Sequence, residues 1–140
     1  MKIEKIEKYS DSLLIDINEL MPQLSSSAQL LDRETLTSII ESEANHLLVA
    51  VQDKKMLGML TLVVFRIPTG VRAWIEDVVV SESARGKGVG QLLIETAINL
   101  AKENGAKTID LTSRPSREAA NQLYQKVGFK QRETNVYRFS

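Results

Sequence analysis

A glycine-rich segment between an apolar strand and an amphipathic helix constrains this sequence more than any other feature. Residues 75–80 contain an isoleucine and three consecutive valines, and such β-branched residues favour a buried strand. From Val89 onward, apolar residues recur at helical spacing. Between these elements, residues 85–90 (RGKGVG) alternate glycine with other residues. Because backbone N–H groups in such a loop lie beside the positive end of the helix dipole, the sequence predicts an anion site, usually for phosphate.

The spacing of the glycines separates this loop from two common phosphate-binding motifs. The mononucleotide pattern G-x-x-x-x-G-K-[ST] does not occur, and the dinucleotide pattern G-x-G-x-x-G fails because Gln91 stands where its third glycine is needed. The pattern R-x-x-G-x-G does occur, on Arg85, Gly88 and Gly90. With its strand and helix, this unit resembles the pyrophosphate-binding motif of the GCN5-related N-acetyltransferase (GNAT) superfamily, which binds acetyl-coenzyme A (acetyl-CoA).

The resemblance implies how acetyl-CoA is held. Backbone N–H groups of residues 85–90 bind the pyrophosphate, and the side chains of Arg85 and Lys87 add positive charge. Free backbone groups of the valine strand pair with the pantetheine arm as a missing strand would. The cofactor-binding residues implied in this way are Val78, Val79, Val80, Arg85, Gly86, Lys87, Gly88, Val89, Gly90, Asn121 and Tyr124.

Composition argues against several other function classes. The chain of 140 residues is expected to be one domain, residues 1–140, and its 18 basic and 18 acidic residues create no net field for nucleic acid or an anionic membrane. It contains no cysteine, so a thiolate nucleophile and a thiolate metal site are excluded, and we expect no metal. No apolar run has the length of a signal peptide or membrane helix, so we expect a cytoplasmic protein.

Hydrophobic periodicity predicts the element order β-α-α-β-β-β-α-β-α-β-β. In this interpretation Pro22 ends the first helix, Asp32 caps the second and Ser116 caps the last. The final two strands, residues 129–132 and 135–139, form a closing hairpin.

This order is that of the GNAT fold, so the resemblance extends over nearly the whole chain. A second motif supports it. Residues 118–129 (EAANQLYQKVGF) look like the family's helix with a terminal tyrosine, followed by the G-F that starts the next strand. The resemblance implies an α/β (α+β) fold whose mixed, mostly antiparallel sheet has about seven strands and is splayed at the acetyl-CoA cleft.

Two side chains are the main catalytic candidates. Departure of the CoA thiolate is helped by a proton donor, and a phenol such as that of Tyr124 stays protonated at neutral pH. In GNAT-like enzymes the tyrosine at this place is often the general acid. An alkylammonium acceptor must lose a proton before it attacks, and Glu76 resembles the strand glutamate that polyamine-type members use as the base. The alternatives are that Tyr124 only packs and that Glu76 only forms an ion pair.

Three further residues are candidates for contacts with the acceptor. Asp77 points away from Glu76 in a regular strand, but the family's splayed strand leads us to expect a β-bulge, which would change that direction. Trp74 is a candidate for lining the acceptor pocket, with a buried aromatic as the alternative. Arg114 follows the strand that flanks the cleft, where it contacts the cofactor or an acidic part of the acceptor, or has only a loop role.

The sequence therefore predicts an N-acetyltransferase that moves the acetyl group of acetyl-CoA directly to a primary amine. Polyamines, aminoglycosides, amino acids, peptide N-termini and protein lysines all remain candidate acceptors, and a homodimer remains a candidate assembly. The main alternative is a CoA-binding sensor or scaffold module with little catalysis. A third interpretation, an ATP- or NAD-dependent domain, rests only on the glycines, and nothing indicates a nucleic-acid or membrane partner.

Overall fold

The computed structural model describes residues 1–140, with helices on both faces of one sheet. Its elements run in chain order as β1 (Lys2–Lys5), α1 (Asp11–Leu24), α2 (Arg33–Glu41), β2 (Asn45–Gln52), β3 (Lys55–Ile67), β4 (Gly70–Val80), α3 (Val89–Glu103), β5 (Thr108–Asp110) and α4 (Glu118–Lys126). One 3-10 turn, Glu82–Ala84, lies between β4 and α3. No helix combines the length and the apolar character needed to cross a membrane.

The five strands lie in the spatial order β1-β2-β3-β4-β5. The first four are antiparallel neighbours, whereas β5 pairs with β4 in parallel. A tight turn joins β2 to β3, because Asp53 and Lys54 have φ of 53° and 64°, as in a two-residue type I′ hairpin. The expected mixed, mostly antiparallel sheet is confirmed.

Each face of the sheet carries its own apolar core. On one face α3 packs against the central strands, and Tyr124 of α4 joins this core. On the other face α1 and α2 pack against β2, β3 and β4 through Leu13, Ile17, Leu20 and Leu36. The helical spacing of these residues is what predicts both helices from the sequence, because a helix buries one stripe of its surface.

Of the two helix caps predicted from the sequence, the one on α2 is confirmed and the one on α4 is wrong. Asp32 caps α2 as expected, because its carboxylate accepts a hydrogen bond from Thr35 N at 2.8 Å. Hydrogen bonding to the side chain of Thr35, and then to its backbone, holds the pKa of Asp32 below its usual range. Ser116 does not cap α4, whose N-cap is Arg117. The reason is a turn closed by the hydrogen bond from Arg117 N to Arg114 O, which places Pro115 in its favoured second position and uses Ser116 inside the turn.

The prediction that Pro22 ends the first helix is also wrong, because α1 continues to Leu24. Proline lacks the N–H that would donate to the carbonyl four residues earlier. In the last turn this costs a single intrahelical bond, and the backbone of Ser25 still closes the helix on Met21 O at 3.1 Å.

The predicted closing hairpin does not form, so the sheet has five strands rather than about seven. The chain leaves α4 through Phe129, whose N–H donates to Tyr124 O at 2.9 Å, and residues 130–140 then run without strand pairing. Because β5 has only three residues, it offers a short edge for further strands. The side chains of Val136, Tyr137 and Phe139 are consequently exposed and do not pack in a core.

Candidate active site

The parallel edge of β4 is open along half of its length. Pairing with β5 ends where Trp74 lies opposite Asp110, while β4 itself continues to Val80. Beyond Trp74 this edge of the sheet therefore has no strand partner, although its other edge stays paired with β3. Unpaired backbone N–H and C=O groups are strong hydrogen-bonding groups that accept an extended ligand as an added strand.

A β-bulge lies within this open segment, as expected. Glu76 pairs with Thr61 and Val79 pairs with Met59, so Asp77 and Val78 together oppose the single residue Leu60. Asp77 has φ of 54°, in the left-handed region, which costs a non-glycine residue about 1–2 kcal/mol. This is one extra residue in one strand, which re-aims the side chains that follow.

The bulge sets which way the valines point. Val78 and Val80 pack against the core under α3, whereas Val79 is buried in the core under α1 and α2. Without the extra residue, Val79 would share a face with Ile75. The valine side chains are thus used in packing, which leaves their backbones as the groups available to a ligand.

Glu76 and Asp77 are both exposed at the bulge, and neither forms an ion pair. The alternative interpretation of Glu76, an ion pair with a nearby cation, is therefore wrong in this structure. Trp74 is half-buried and precedes Glu76 by two residues, on the same face of β4. Glu76 thus borders the face that carries α1 and α2.

The glycine loop after β4 is exposed, and two of its glycines have the left-handed backbone that suits an anion cradle. Gly86 and Gly88 have φ of 81° and 78°, and no atom lies within 4 Å of the position that a Cβ would occupy at either residue. Gly88 is the N-cap of α3 and supplies no side-chain cap, so the first N–H groups of that helix have no capping side chain. Arg85 and Lys87 are exposed and form no ion pair.

Gly90 and Gly58 serve a different purpose, close packing around the loop. A Cβ at Gly90 would lie 3.2 Å from Leu123 Cδ2 of α4, and one at Gly58 would lie 2.8 Å from Val79 O. Gly90 therefore lets α4 approach the first turn of α3, and Gly58 lets α3 settle onto the sheet. The role of Gly58 was not predicted, although a lone glycine inside an apolar strand is a signal of such an approach.

Tyr124 lies in α4 with its ring buried and its hydroxyl free of hydrogen-bond partners. The residue is only 6% exposed, and its ring packs edge-on against Phe129 with centroids 6.1 Å apart. Burial raises the pKa of the phenol above its usual value of 10.0, and the positive charge of Arg117 opposes this in part. The hydroxyl is therefore a protonated donor at neutral pH.

The loop between β5 and α4 is tied down by Asn121. Its side-chain amide donates to Arg114 O at 2.9 Å, which leaves the amide oxygen as the group free to meet a ligand. Arg114 itself has an exposed side chain. Beside it, Ser113 Oγ is buried without a hydrogen-bond partner.

The predicted residues thus fall into two groups around the end of β4. The glycine loop, Tyr124 and Asn121 lie on the side of α3 and α4, and the contact between Leu123 and Gly90 joins them. Glu76 and Trp74 border the α1–α2 side. No cluster of three or more histidine, aspartate or glutamate side chains is arranged to hold a metal ion.

Comparisons with known proteins agree with this geometry. A curated relative, the uncharacterized N-acetyltransferase YhdJ of Bacillus subtilis, is 28% identical over 79% of this chain and 82% of its own. An uncharacterized N-acetyltransferase of Methanocaldococcus jannaschii, MJ1207, is 33% identical over 61 residues, which are 44% of this chain and 27% of that protein's length. Among solved structures, an aminoglycoside acetyltransferase from a soil metagenome superposes with a TM-score of 0.87 at 20% identity, over 99% of this chain and 94% of its own.

The family comparison covers most of the sequence. The profile of the acetyltransferase (GNAT) family matches residues 14–129, a range that holds the bulged strand, the glycine loop and the tyrosine helix. The predicted family, fold and enzyme class are confirmed by these matches. With its R-x-x-G-x-G loop placed at the open end of β4, the chain belongs to the acetyltransferase (GNAT) family.

Proposed function

We propose that this protein transfers the acetyl group of acetyl-CoA directly to a primary amine. The observation that carries the proposal is the open edge of β4, which is followed, after one 3-10 turn, by the exposed glycine loop. An extended pantetheine arm suits the first feature and a pyrophosphate suits the second.

The residues present fit acetyl-CoA, which supplies an activated acetyl thioester when bound. Open space above Gly86 and Gly88 gives a ligand access to backbone N–H groups of the loop, whereas the N–H of Arg85 donates to Glu82 O at 3.4 Å. Arg85 and Lys87 add charge that no carboxylate of the protein neutralises.

Tyr124 acts as the proton donor in this proposal. Its hydroxyl has no partner within the protein, and burial keeps it protonated. A phenol held in this state delivers its proton to the departing sulfur. The ring is fixed by Phe129, so the hydroxyl is oriented before any ligand arrives.

Glu76 acts as the base or as the binding group for the acceptor's ammonium. Its side chain is exposed, forms no ion pair, and lies on β4, the strand with the open edge. Asp77, turned out of phase by the bulge, is the second candidate for this role. Trp74 and Arg114 remain candidates for contacts with the acceptor. Two unpaired carboxylates favour a cationic acceptor, and the aminoglycoside acetyltransferase with the same fold makes aminoglycosides the first acceptors to test.

The test is release of free thiol from acetyl-CoA by purified protein across aminoglycosides, polyamines, amino acids and short peptides. The protein has no cysteine, so it adds no thiol background. Saturable release with one amine class is the expected result. Binding of acetyl-CoA without release for any acceptor would instead favour the alternative, a CoA-binding sensor module.

Assembly as a homodimer is a further part of the proposal. The exposed apolar side chains of Val136, Tyr137 and Phe139 support it, because a second copy would remove them from water. Sedimentation velocity over a wide range of protein concentration should show a dimer. A monomer at every concentration would overturn this part while leaving the transfer activity untouched.

A further inference from the structure

Lys126, the last residue of α4, reaches across to the first turn of α3. Its ammonium donates to Gln91 Oε1 at 3.3 Å, and Gln91 Nε2 in turn donates to Glu95 Oε1 at 2.7 Å. Gln91 directly follows the last glycine of the loop. The cation is therefore held at the rim of the anion cradle, although it is 35 residues away along the sequence.

Packing between the two helices fixes this position. Leu123 contacts the Gly90 backbone region, since a Cβ there would lie 3.2 Å from Leu123 Cδ2. Lys126 lies one turn after Leu123 on the same face of α4, because residues three apart are neighbours on a helix surface. The approach that Gly90 permits thus brings Lys126 beside the loop.

The charge of Lys126 is not neutralised within the protein. Neither ion pair of the structure includes it, and its partner Gln91 is a neutral amide. The nearby carboxylate of Glu95 is engaged by Gln91 instead. An exposed lysine held by a neutral acceptor keeps its other two N–H donors for a ligand.

We propose that Lys126 binds the 3′-phosphate of the CoA ribose. This inference rests on the proposed function, and it adds a residue that discriminates CoA from its dephospho form. The backbone N–H groups of the glycine loop, with the charges of Arg85 and Lys87, account for the pyrophosphate. Lys126 is a further cation beside this loop, available to the third phosphate of CoA. A lysine ammonium is a suitable partner for it, as a compact point charge at the side of the cradle.

The experiment measures binding of CoA and of dephospho-CoA, by isothermal titration calorimetry, to the wild type and to Lys126→Gln. We expect the variant to bind CoA about tenfold more weakly, as for loss of one charged hydrogen bond, and to bind dephospho-CoA as the wild type does. Lys126→Arg should keep the preference for CoA. Lys102→Gln, an exposed lysine at the other end of α3, is the matched control and should change neither affinity.

Two results would overturn the proposal. An equal loss for both ligands would place Lys126 at the pyrophosphate or in helix packing, and no loss for either would remove it from the cofactor site. Both results leave acetyl-CoA binding, and hence the proposed function, intact. If the wild type binds neither ligand, the proposed function fails first and this inference falls with it.

Discussion

The two edges of β4 differ sharply, and the difference locates the site. On the β3 side, pairing runs from Gly70 to Val80 and is interrupted only by the bulge at Asp77. On the β5 side, pairing covers Arg72, Ala73 and Trp74 and then stops. One edge holds the fold together, and the other leaves backbone groups free.

The comparison shows how β4 keeps one edge unpaired and is still held firmly in the sheet. The closed edge supplies continuous hydrogen bonding, and both faces of β4 are covered by helices. The left-handed backbone of Asp77 lies within the open segment, and the glycine loop follows it in the chain. Such features cluster at functional sites because the surrounding structure holds them in place.

The largest effect is expected when the free hydroxyl on the open side is removed. Tyr124→Phe keeps the ring packed on Phe129 and removes the proton donor, so kcat should fall by about 10²–10⁴-fold while the affinity for acetyl-CoA changes little. Steady-state kinetics and calorimetry separate the two quantities. Tyr137→Phe, which alters an exposed tyrosine, is the control. An unchanged kcat for Tyr124→Phe would show that Tyr124 only packs.

The next prediction compares two glycines that have nearly the same φ. Gly88 and Gly105 have φ of 78° and 81°, and a Cβ at either would meet no atom within 4 Å. Gly88→Ala and Gly105→Ala should therefore destabilise the fold equally, by about 1–2 kcal/mol each. Only Gly88→Ala should weaken CoA binding, by about 100-fold, because its methyl group enters the cradle.

Thermal unfolding and CoA titration of both glycine variants give the two quantities side by side. The prediction fails if Gly88→Ala binds CoA as tightly as Gly105→Ala does.

A smaller effect is expected when the carboxylate that acts as the base, or binds the acceptor's ammonium, is replaced. Glu76→Gln should lower kcat/KM for the amine by about 10²-fold and change the shape of the pH–rate profile, because a positioned base contributes at least that much. Asp77→Asn is the matched variant at the neighbouring position. It should keep the wild-type kcat/KM and the wild-type pH–rate profile. The opposite result would assign the role to Asp77.

The smallest effect concerns the closed side of the sheet, where His46 is buried in β2. Burial, with a lesser contribution from the charge of Lys5, lowers the pKa of His46 below 6.5. The unfolded chain then binds a proton more readily than the folded chain does. Stability should therefore decline as the pH falls below about 6.5, with a slope of at most about 1.4 kcal/mol per pH unit, and should be independent of this group above that pH.

Urea unfolding between pH 7.5 and pH 5.5 measures this slope, and His46→Gln should flatten it. An identical slope in the variant would assign the pH dependence to other groups. Burial thus shifts the pKa of both His46 and Tyr124 toward the uncharged form, but only Tyr124 belongs to the core on the α3–α4 face.

The local features were predictable because each depends on neighbouring residues. The alternation of glycines in residues 85–90, the apolar run of β4 and the helical stripe of α3 follow from spacing alone. Asp32 capped its helix as predicted, since a cap needs only the next three residues. Ser116 did not cap α4, because Pro115 had already placed it in a turn.

The pattern of residues by itself determined the order of the elements through α4, the glycine loop before α3 and the family. Tertiary structure decided what depends on distant partners. It set which face each valine takes after the bulge, that residues 130–140 find no strand to pair with, and that Lys126 lies beside Gln91. The physical reason is that hydrophobic periodicity depends on the residues of one helix or strand. A bulge, an open edge or a contact between helices depends instead on how two elements pack against each other.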